Sequence, residues 1–321
     1  MTEPVVSPTA LPSTDLEAIA STAKSYAEQS LSTATRRAYG TAWADFERWC
    51  QQQDFSPLPA AEPTVGLYLA DRAATLTVAT LNLRLSAIRA RHRLAGHPLN
   101  GAHPAIRDVF VGIKRVKGSA PQAKAPLLTE QLRAAVLALP ETVKGHRDRA
   151  LLLLGFAAAL RRAELVSLDV GDISFVDDGL ILLLRRRKTD QEGEGTRIGV
   201  AHGANPLTCP VRAVSQWIAV GNVESGPLFR PVTKGGAVSV RRLSDRTVAR
   251  LVKAAAAAIG ADPNEFAGHS LRAGLATSAA RAGAEERHIM RQTGHRSVQT
   301  VRRYIREGEL FRDNVSSRVG L

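Results

Sequence analysis

Apolar residues recur at helical spacing along most of the chain, and this pattern predicts a mainly helical protein. Over residues 15–53 one apolar stripe is formed by Ala34, Tyr39, Trp43, Phe46 and Trp49. Ser32 or Thr33 stands where a side chain would cap the start of that helix. Further helices are expected at residues 65–72, at 78–94 and from about 104 to 117.

Two segments outside these helices have a composition that does not favour a packed core. Residues 1–14 hold three prolines among serines and threonines, so we expect a disordered tail. Residues 118–126 combine Gly118, Pro121 and Pro126 with Lys124 and small residues, which predicts a linker. The first domain is therefore predicted to span residues 15–117 and the second residues 127–321.

The second domain adds short strands to a helical pattern. Asp177-Asp178-Gly179 predicts a tight turn between strands at 173–176 and 180–184, and residues 196–200 return as a third strand. A helix capped by Thr129, an apolar helix around 151–156 and a mostly helical pattern after residue 211 complete the domain. The expected fold is mainly α: a helical N-terminal domain, then a mixed α/β, mostly helical domain with a small antiparallel sheet.

The charge of the chain suggests a polyanionic partner. Lys and Arg number 43 against 30 Asp and Glu, for a formal net charge of +13, which favours nucleic acid. A charge that only keeps the protein soluble explains the same excess.

The cysteines and the apolar runs indicate the compartment. Cys50 and Cys209 form neither a metal-binding spacing nor a disulfide framework, which fits a reduced, cytoplasmic protein. The longest apolar run, residues 150–160, is too short to span a bilayer, so no membrane partner is expected.

The residues best suited to chemistry lie between Gly268 and Tyr304. This stretch contains Gly268-His269-Ser270-Leu271-Arg272, Gly294-His295 and Tyr304. Metal-free transfer of a phosphodiester needs a nucleophile, cations that offset charge on phosphate oxygens and groups that move protons, and these side chains supply them. The sequence has no His-Glu-x-x-His motif, cysteine pair or carboxylate cluster, so we expect neither a metal ion nor another cofactor.

From about residue 31 to its C-terminus the chain resembles the tyrosine recombinase, or phage integrase, family. The family's first arginine box resembles residues 160–165, which include Arg161 and Glu164, and its hairpin lysine matches Lys188. The remaining matches are the His-x-x-Arg box at His269 and Arg272, the Gly-His box at His295, and Tyr304 nine residues further on. Each motif alone is common, so the resemblance depends on their shared order and spacing.

The resemblance implies a strand-transfer reaction centred on Tyr304. This residue would attack the scissile phosphate, form a 3′-phosphotyrosyl link and free a 5′-hydroxyl, without ATP because the bond energy is conserved. Arg161 and Arg272 would hold the non-bridging oxygens. Lys188 would protonate the leaving oxygen, although Arg185, Arg186 and Arg187 compete for that role.

Three further residues receive supporting roles from the resemblance. His269 would orient the phosphate or accept the tyrosine proton, and His295 would donate a hydrogen bond to a phosphate oxygen. Glu164 would hold its neighbours in place. Each of these residues also has an ordinary structural interpretation, as does Tyr304, which would pack in an apolar helix.

The resemblance also implies DNA recognition, assembly on DNA and association with a bacterial or phage nucleoid. The helices that carry Thr35, Arg37, Thr80 and Arg84 would enter the major groove, with Arg246 entering from the second domain; positioning on the DNA backbone is the alternative. Apolar residues beyond Tyr304 (Leu310, Phe311, Val315 and Val319) predict a C-terminal helix. This helix would pack against its own protomer or, as the family implies, against a neighbouring protomer. The assembly would be a homotetramer on two duplexes, built from monomers in free solution.

Three functions remain open at this point. The first is a site-specific recombinase or integrase acting on double-stranded DNA target sites. The second keeps the chemistry but relaxes DNA or resolves telomeres, like a type IB topoisomerase or a telomere resolvase. The third is a DNA-binding accessory protein with an inactive site, which the complete set of motifs disfavours.

Overall fold

The polypeptide folds into two units, which we describe from a computed structural model. The structure describes residues 13–29, 31–118, 124–185, 195–295 and 297–308, together with residues 316 and 319. The units are Met1–Gln122 and Ala123–Leu321. Four predicted features lie wholly or partly outside the described residues: residues 1–12 of the tail, the central part of the linker, Lys188 and most of the C-terminal helix.

The described part of the first unit consists of helices. They are α1 (Ser13–Gln29), α2 (Thr33–Gln52), α3 (Glu62–Ala73), α4 (Val78–Leu94) and α5 (Pro104–Lys117). Ser32 caps α2 by accepting a hydrogen bond from the Thr35 amide at 3.1 Å, and Thr77 caps α4 in the same way through the Thr80 amide. The predicted cap at Ser32 is therefore confirmed.

Four of these helices share one apolar core. Its fully buried side chains are Phe46 from α2, Tyr68 and Leu69 from α3, Leu81 and Ile88 from α4, and Ile106 from α5. Phe46 and Trp49, predicted from the apolar stripe, are buried, whereas Trp43 packs against the core only partly buried. The predicted stripe is confirmed in the second half of α2, where burial selects apolar residues at helical spacing, whereas Ala34 is exposed and Tyr39 is half-buried.

The second unit combines helices with one small sheet. Its described helices are α6 (Thr129–Leu137), α7 (Val143–Ala157), α8 (Arg162–Ser167), α9 (Pro210–Gly221), α10 (Asp245–Ala258), α11 (Ser270–Arg281), α12 (Glu286–Thr293) and α13 (Val298–Gly308). The strands are β1 (Ile173–Val176), β2 (Gly179–Leu184) and β3 (Thr196–Ala201). They pair antiparallel in the order β1-β2-β3, with Val176 opposite Gly179 across a two-residue turn. This architecture confirms the predicted fold class.

Helix α7 forms the centre of the second unit. Its residues 150–155 are buried on all sides, and α9 and α11 pack against the helix. A helix that is apolar all round needs neighbours on every face, which explains why the sequence signal there is a continuous run instead of a stripe. The end of α7 leads directly to Arg161.

Three sequence-based boundaries differ from the structure. Ser13 and Thr14, assigned to the tail, lie in the first turn of α1. Thr129 is the first helical residue of α6 and not its cap; instead the Leu128 amide donates to the Gln131 side chain at 3.0 Å. The end of the predicted linker belongs to the second unit, because the Ala125 amide donates to the Glu265 carbonyl at 2.8 Å. No helix among the described residues is long and apolar enough to cross a membrane.

Candidate active site

Arg161 and Glu164 are joined by two hydrogen bonds at the start of α8. Arg161 is the residue that precedes the helix, and Glu164 lies in the first turn. One carboxylate oxygen of Glu164 accepts the Arg161 backbone N–H at 2.9 Å, and the other accepts Arg161 Nη1 at 2.5 Å. Glu164 is buried, whereas Arg162 forms an exposed ion pair with Asp245 at 3.1 Å. The carboxylate therefore fixes the direction of the Arg161 side chain.

Arg272 reaches the same region from α11. Its side chain is fully buried, and Nη1 donates to the carbonyl oxygen of Ala159 at 2.8 Å, across 113 positions of sequence. Ala159 adopts the left-handed conformation with φ of 50°, in the short segment between α7 and α8. This contact ties the His-x-x-Arg box to the segment that carries the first arginine box.

His269 stands immediately before α11, with one face exposed to solvent. Partial burial lowers its pKa below the ordinary 6.5, and the positive charges of Arg272, Arg161 and Arg303 act in the same direction, while Glu164 opposes them. The charges of Arg161 and Arg272 therefore both act on His269. They favour the neutral imidazole, which is the form that is able to accept a proton.

His295 and Tyr304 meet at the other end of the site. Helix α12 ends at Gly294, whose φ of 65° is the left-handed conformation that closes a helix, and His295 follows directly. His295 Nδ1 lies 2.8 Å from the Thr293 hydroxyl, and its ring centre lies 5.9 Å from that of Tyr304. The reversal of the chain at Gly294 thus brings the histidine beside the phenol ring.

The Tyr304 side chain is buried in an apolar cluster. Its side chain on α13 is 5% exposed and packs with Ala273, Ala276 and Ala280 of α11. Ala273 directly follows Arg272, so the phenol lies against the helix that carries His269 and Arg272. The structure therefore joins Arg161 to Glu164, ties Arg272 to the segment just before them, and packs Tyr304, with His295 beside its ring, against α11.

Two residues near this site were missed by the sequence. Arg303 lies over the Tyr304 ring, with its guanidinium carbon 5.6 Å from the ring centre. Gln292 donates to the carbonyls of Ala157 at 2.8 Å and of Gly199 at 3.1 Å, which ties α12 to the end of α7 and to β3. Arg303 is one of three arginines in α13, and no spacing distinguishes it from the other two. Nothing in the sequence marks Gln292. Lys188 lies outside the described residues, so its role stays a prediction.

The candidate DNA contacts differ in how available their side chains are. Arg37 and Arg246 are exposed, at the second turn of α2 and the start of α10. Thr35 and Thr80 are half-buried, and their hydroxyls lie 2.9 and 3.0 Å from those of the capping residues Ser32 and Thr77. These four remain predicted contacts.

Arg84 has a structural role that the sequence did not suggest. Its Nη1 donates to the carbonyls of Thr41 and Ala42 and lies 3.2 Å from Asp45, and only 15% of its side chain is exposed. Burial alone would raise the pKa of Asp45, but the Tyr68 hydroxyl, Arg84 and Arg72 outweigh burial and lower it. Arg84 thus joins α4 to α2, and its contact with DNA stays a prediction.

The start of α10 faces an open cavity of about 600 Å³ that is rich in cations. Arg147 in its wall is paired with Asp148 at 2.5 Å, and Arg242 with Asp169 at 2.6 Å. The other basic side chains that line it are Lys144, Arg241 and Arg250.

Within the described part of the chain, no group of three or more His, Cys, Asp or Glu side chains is placed to hold a metal ion.

Comparison with known proteins identifies the family. The model described as "Phage integrase family" matches residues 127–309. The chain belongs to this family. The recombinase is 39% identical over 303 residues to an integrase/recombinase XerD homolog of Selenomonas ruminantium, covering 92% of this chain and 88% of that protein. It is 29% identical over 286 residues to recombinase Cre of Escherichia phage P1, covering 83% and 80%. It is therefore a DNA strand-transferring enzyme of site-specific recombination.

Solved structures share the fold of this recombinase at low sequence identity. One is the XerH site-specific recombinase bound to palindromic difH substrate in a post-cleavage complex, with a TM-score of 0.59, 15% identity and coverage of 80% of this chain and 71% of that one. Another is a lambda integrase dimer bound to a COC′ core site, with a TM-score of 0.57, 16% identity and coverage of 86% and 89%.

Proposed function

We propose that this recombinase cuts and rejoins double-stranded DNA through a 3′-phosphotyrosyl intermediate on Tyr304. The observation that carries the proposal is the hydrogen bond from Arg272 to Ala159, since it joins two arginine boxes that are distant in sequence. His269 lies within the electrostatic reach of both guanidinium groups. Tyr304 packs on the helix that presents His269 and Arg272.

The two arginines would hold the scissile phosphate. A guanidinium carries five N–H donors, so Arg161 is able to keep Glu164 and bind a phosphate oxygen at the same time. Arg272, buried and anchored to Ala159, supplies a second positive charge at a fixed position. Preorganised cations of this kind stabilise the charge that builds up on the non-bridging oxygens, so the reaction proceeds without a metal ion.

Proton transfer would use His269 at one end and Lys188 at the other. As Tyr304 oxygen bonds to phosphorus, its proton passes to the neutral imidazole of His269 or to solvent. The bond from phosphorus to the 5′ oxygen breaks, and Lys188 protonates that oxygen. His295, beside the phenol ring, would donate to a phosphate oxygen. The reverse reaction with a new 5′-hydroxyl reseals the strand, so no ATP is consumed.

The partner would be duplex DNA. The chain carries a net charge of +13, exposed arginines stand on α2 and α10, and two proteins of the same fold are bound to DNA sites. We place Arg37 and Arg246 among the contacts, with Thr35 and Thr80 at the starts of their helices. Assembly would be a homotetramer on two duplexes, with monomers in free solution.

The test is covalent trapping on a nicked suicide duplex, with sites taken from genomic fragments bound by the Tyr304→Phe protein. The wild type is expected to form a protein–DNA adduct, and Tyr304→Phe none, because phenylalanine keeps the ring in its cluster but lacks the nucleophile. Matching circular dichroism and melting curves would show that the variant is folded. An adduct of equal yield in Tyr304→Phe would refute the assignment of the nucleophile.

A second assay separates recombination from DNA relaxation. The protein is expected to exchange strands between two plasmids that carry the site and to leave plasmids without the site supercoiled. A topoisomerase would relax both kinds of plasmid.

A further inference from the structure

Two neighbouring arginines of α13 have different surroundings. Arg302 is exposed, and its Nε forms an ion pair with Glu286 at 2.9 Å. Arg303 is half-buried and lies over the ring of Tyr304 at 5.6 Å. Its Nε is buried and has no hydrogen-bond partner among the described residues. Burying part of a guanidinium without a compensating carboxylate costs free energy, so packing alone does not explain the position of Arg303.

The charge of Arg303 also acts on His269. After burial of the ring, the charges of Arg272, Arg161 and Arg303 all disfavour the imidazolium form and lower the pKa of His269. The other charged group acting on it is Glu164 of α8, which favours that form. The guanidinium of Arg303 therefore lies over the phenol ring, and its charge also disfavours the imidazolium form of His269.

We propose that Arg303 is a positioning residue of the active site, held over the Tyr304 ring so that its fixed charge acts on the neighbouring site residues and stabilises the negative charge that develops on Tyr304 during attack. The second part rests on the proposed function. A cation over an aromatic face is attracted to the ring, and the attraction grows when the ring gains phenolate character. Arg303 would thus stabilise the transition state more than the resting phenol.

The first experiment follows the titration of His269 in the free protein by NMR. The chain has eight histidines, and the signal of His269 is the one lost in His269→Gln. Arg303→Gln is expected to move the titration midpoint of His269 to higher pH, because a nearby positive charge has been removed. Arg303→Lys, which keeps the charge, and Arg302→Gln, the matched control, are expected to titrate like wild type.

This titration needs no DNA, so it decides the effect on His269 whether or not the proposed reaction occurs. An unchanged midpoint in Arg303→Gln overturns the proposal. If Arg303→Gln fails to fold, as judged by its melting curve, Arg303→Met keeps the aliphatic stem and removes the charge, and the same outcomes apply to it.

The second experiment measures the rate of adduct formation on the suicide duplex against pH. Arg303→Gln is expected to be about threefold to thirtyfold slower than wild type at pH 7, as the range of cation–π energies implies. The part of the deficit that comes from protonated His269 should disappear as pH rises, because His269 then becomes neutral without help, while the part that comes from charge on Tyr304 should remain. Arg303→Lys should recover most of the rate, and Arg302→Gln should match wild type. No loss in Arg303→Gln at any pH, or a loss equally large in Arg302→Gln, contradicts the proposal.

Discussion

His269 shows how one residue reports on the whole candidate site. Burial and three guanidinium groups lower its pKa, so the fold disfavours the imidazolium that an unfolded chain forms freely. Between the lowered pKa and the ordinary 6.5, the unfolded state binds more protons than the folded state. The contribution of His269 to stability is therefore fully present above pH 6.5 and is lost as the pH falls through the folded value.

This sign leads to a prediction about acid sensitivity. We expect the free energy of unfolding of wild type to fall more between pH 7 and pH 5 than that of His269→Gln, which has no imidazole to protonate. Urea unfolding at the two pH values measures the difference. His97→Gln serves as the control, since this histidine lies exposed outside the site. A wild type that loses no more stability than His269→Gln would contradict the charge environment described above.

Arg84 and Arg37 in the first unit differ in their contacts, since Arg84 is paired within the unit and Arg37 is exposed. Arg84→Ala is expected to cost about 1–3 kcal/mol of stability, since Asp45 and two backbone carbonyls would lose a charged donor. Arg37→Ala should change stability by less than about 0.5 kcal/mol. It should instead weaken DNA binding and reduce the salt slope of that binding by about 1.

Chemical unfolding and DNA binding at several salt concentrations measure both effects. Arg37→Ala that destabilises as strongly as Arg84→Ala would show that the exposed side chain has a structural role. The sequence could not separate the two arginines, because both stand on helical faces and only the tertiary structure reveals that Asp45 lies opposite Arg84.

At the scale of elements, the close approach of α11 to the segment before α6 positions His269 and Arg272. The Leu127 amide donates to the Ser270 carbonyl at 3.0 Å, and a Cβ placed on Gly274 would lie 1.9 Å from the Leu127 carbonyl oxygen. Backbone atoms cannot move aside as a side chain tip can. The contact therefore requires glycine at position 274.

We expect Gly274→Ala to destabilise the protein by about 1–3 kcal/mol and to slow cleavage, because α11 must shift and carry its two site residues with it. Gly112→Ala is the matched control. Gly112 also lies inside a helix, but nothing lies within 4 Å of its added Cβ, so the change should stabilise by up to about 1 kcal/mol. Thermal melting and adduct formation are the measurements, and a neutral Gly274→Ala would contradict the close packing.

Element by element, the sequence predicted types better than boundaries. The hairpin turn at Asp177 and Asp178 and the buried helix α7 follow from local chemistry and a long apolar run. The predicted start of α6 was wrong by one residue. The Leu128 amide is capped by the Gln131 side chain, and the two groups lie close together only in the folded turn.

At the scale of the whole molecule, the proposed tetramer makes a prediction about the C-terminus. Removing residues 310–321 is expected to leave binding of one protomer to a duplex intact and to prevent the assembly of four protomers on two duplexes. Sedimentation or mass photometry of the DNA complexes measures the assembly. Complexes of four that persist in the shortened protein would show that this segment is not donated between protomers.

The sequence by itself determined the family, the helical class with its small sheet, and the catalytic candidates from Arg161 to Tyr304, since periodicity and motif spacing are local properties of the chain. Only the tertiary structure decided which charges meet. It joined Arg272 to Ala159, turned Arg84 inward to Asp45, and placed Arg303 over Tyr304 while its neighbour Arg302 pairs with Glu286. Electrostatic interactions act through space between residues distant in sequence, so no local pattern encodes them.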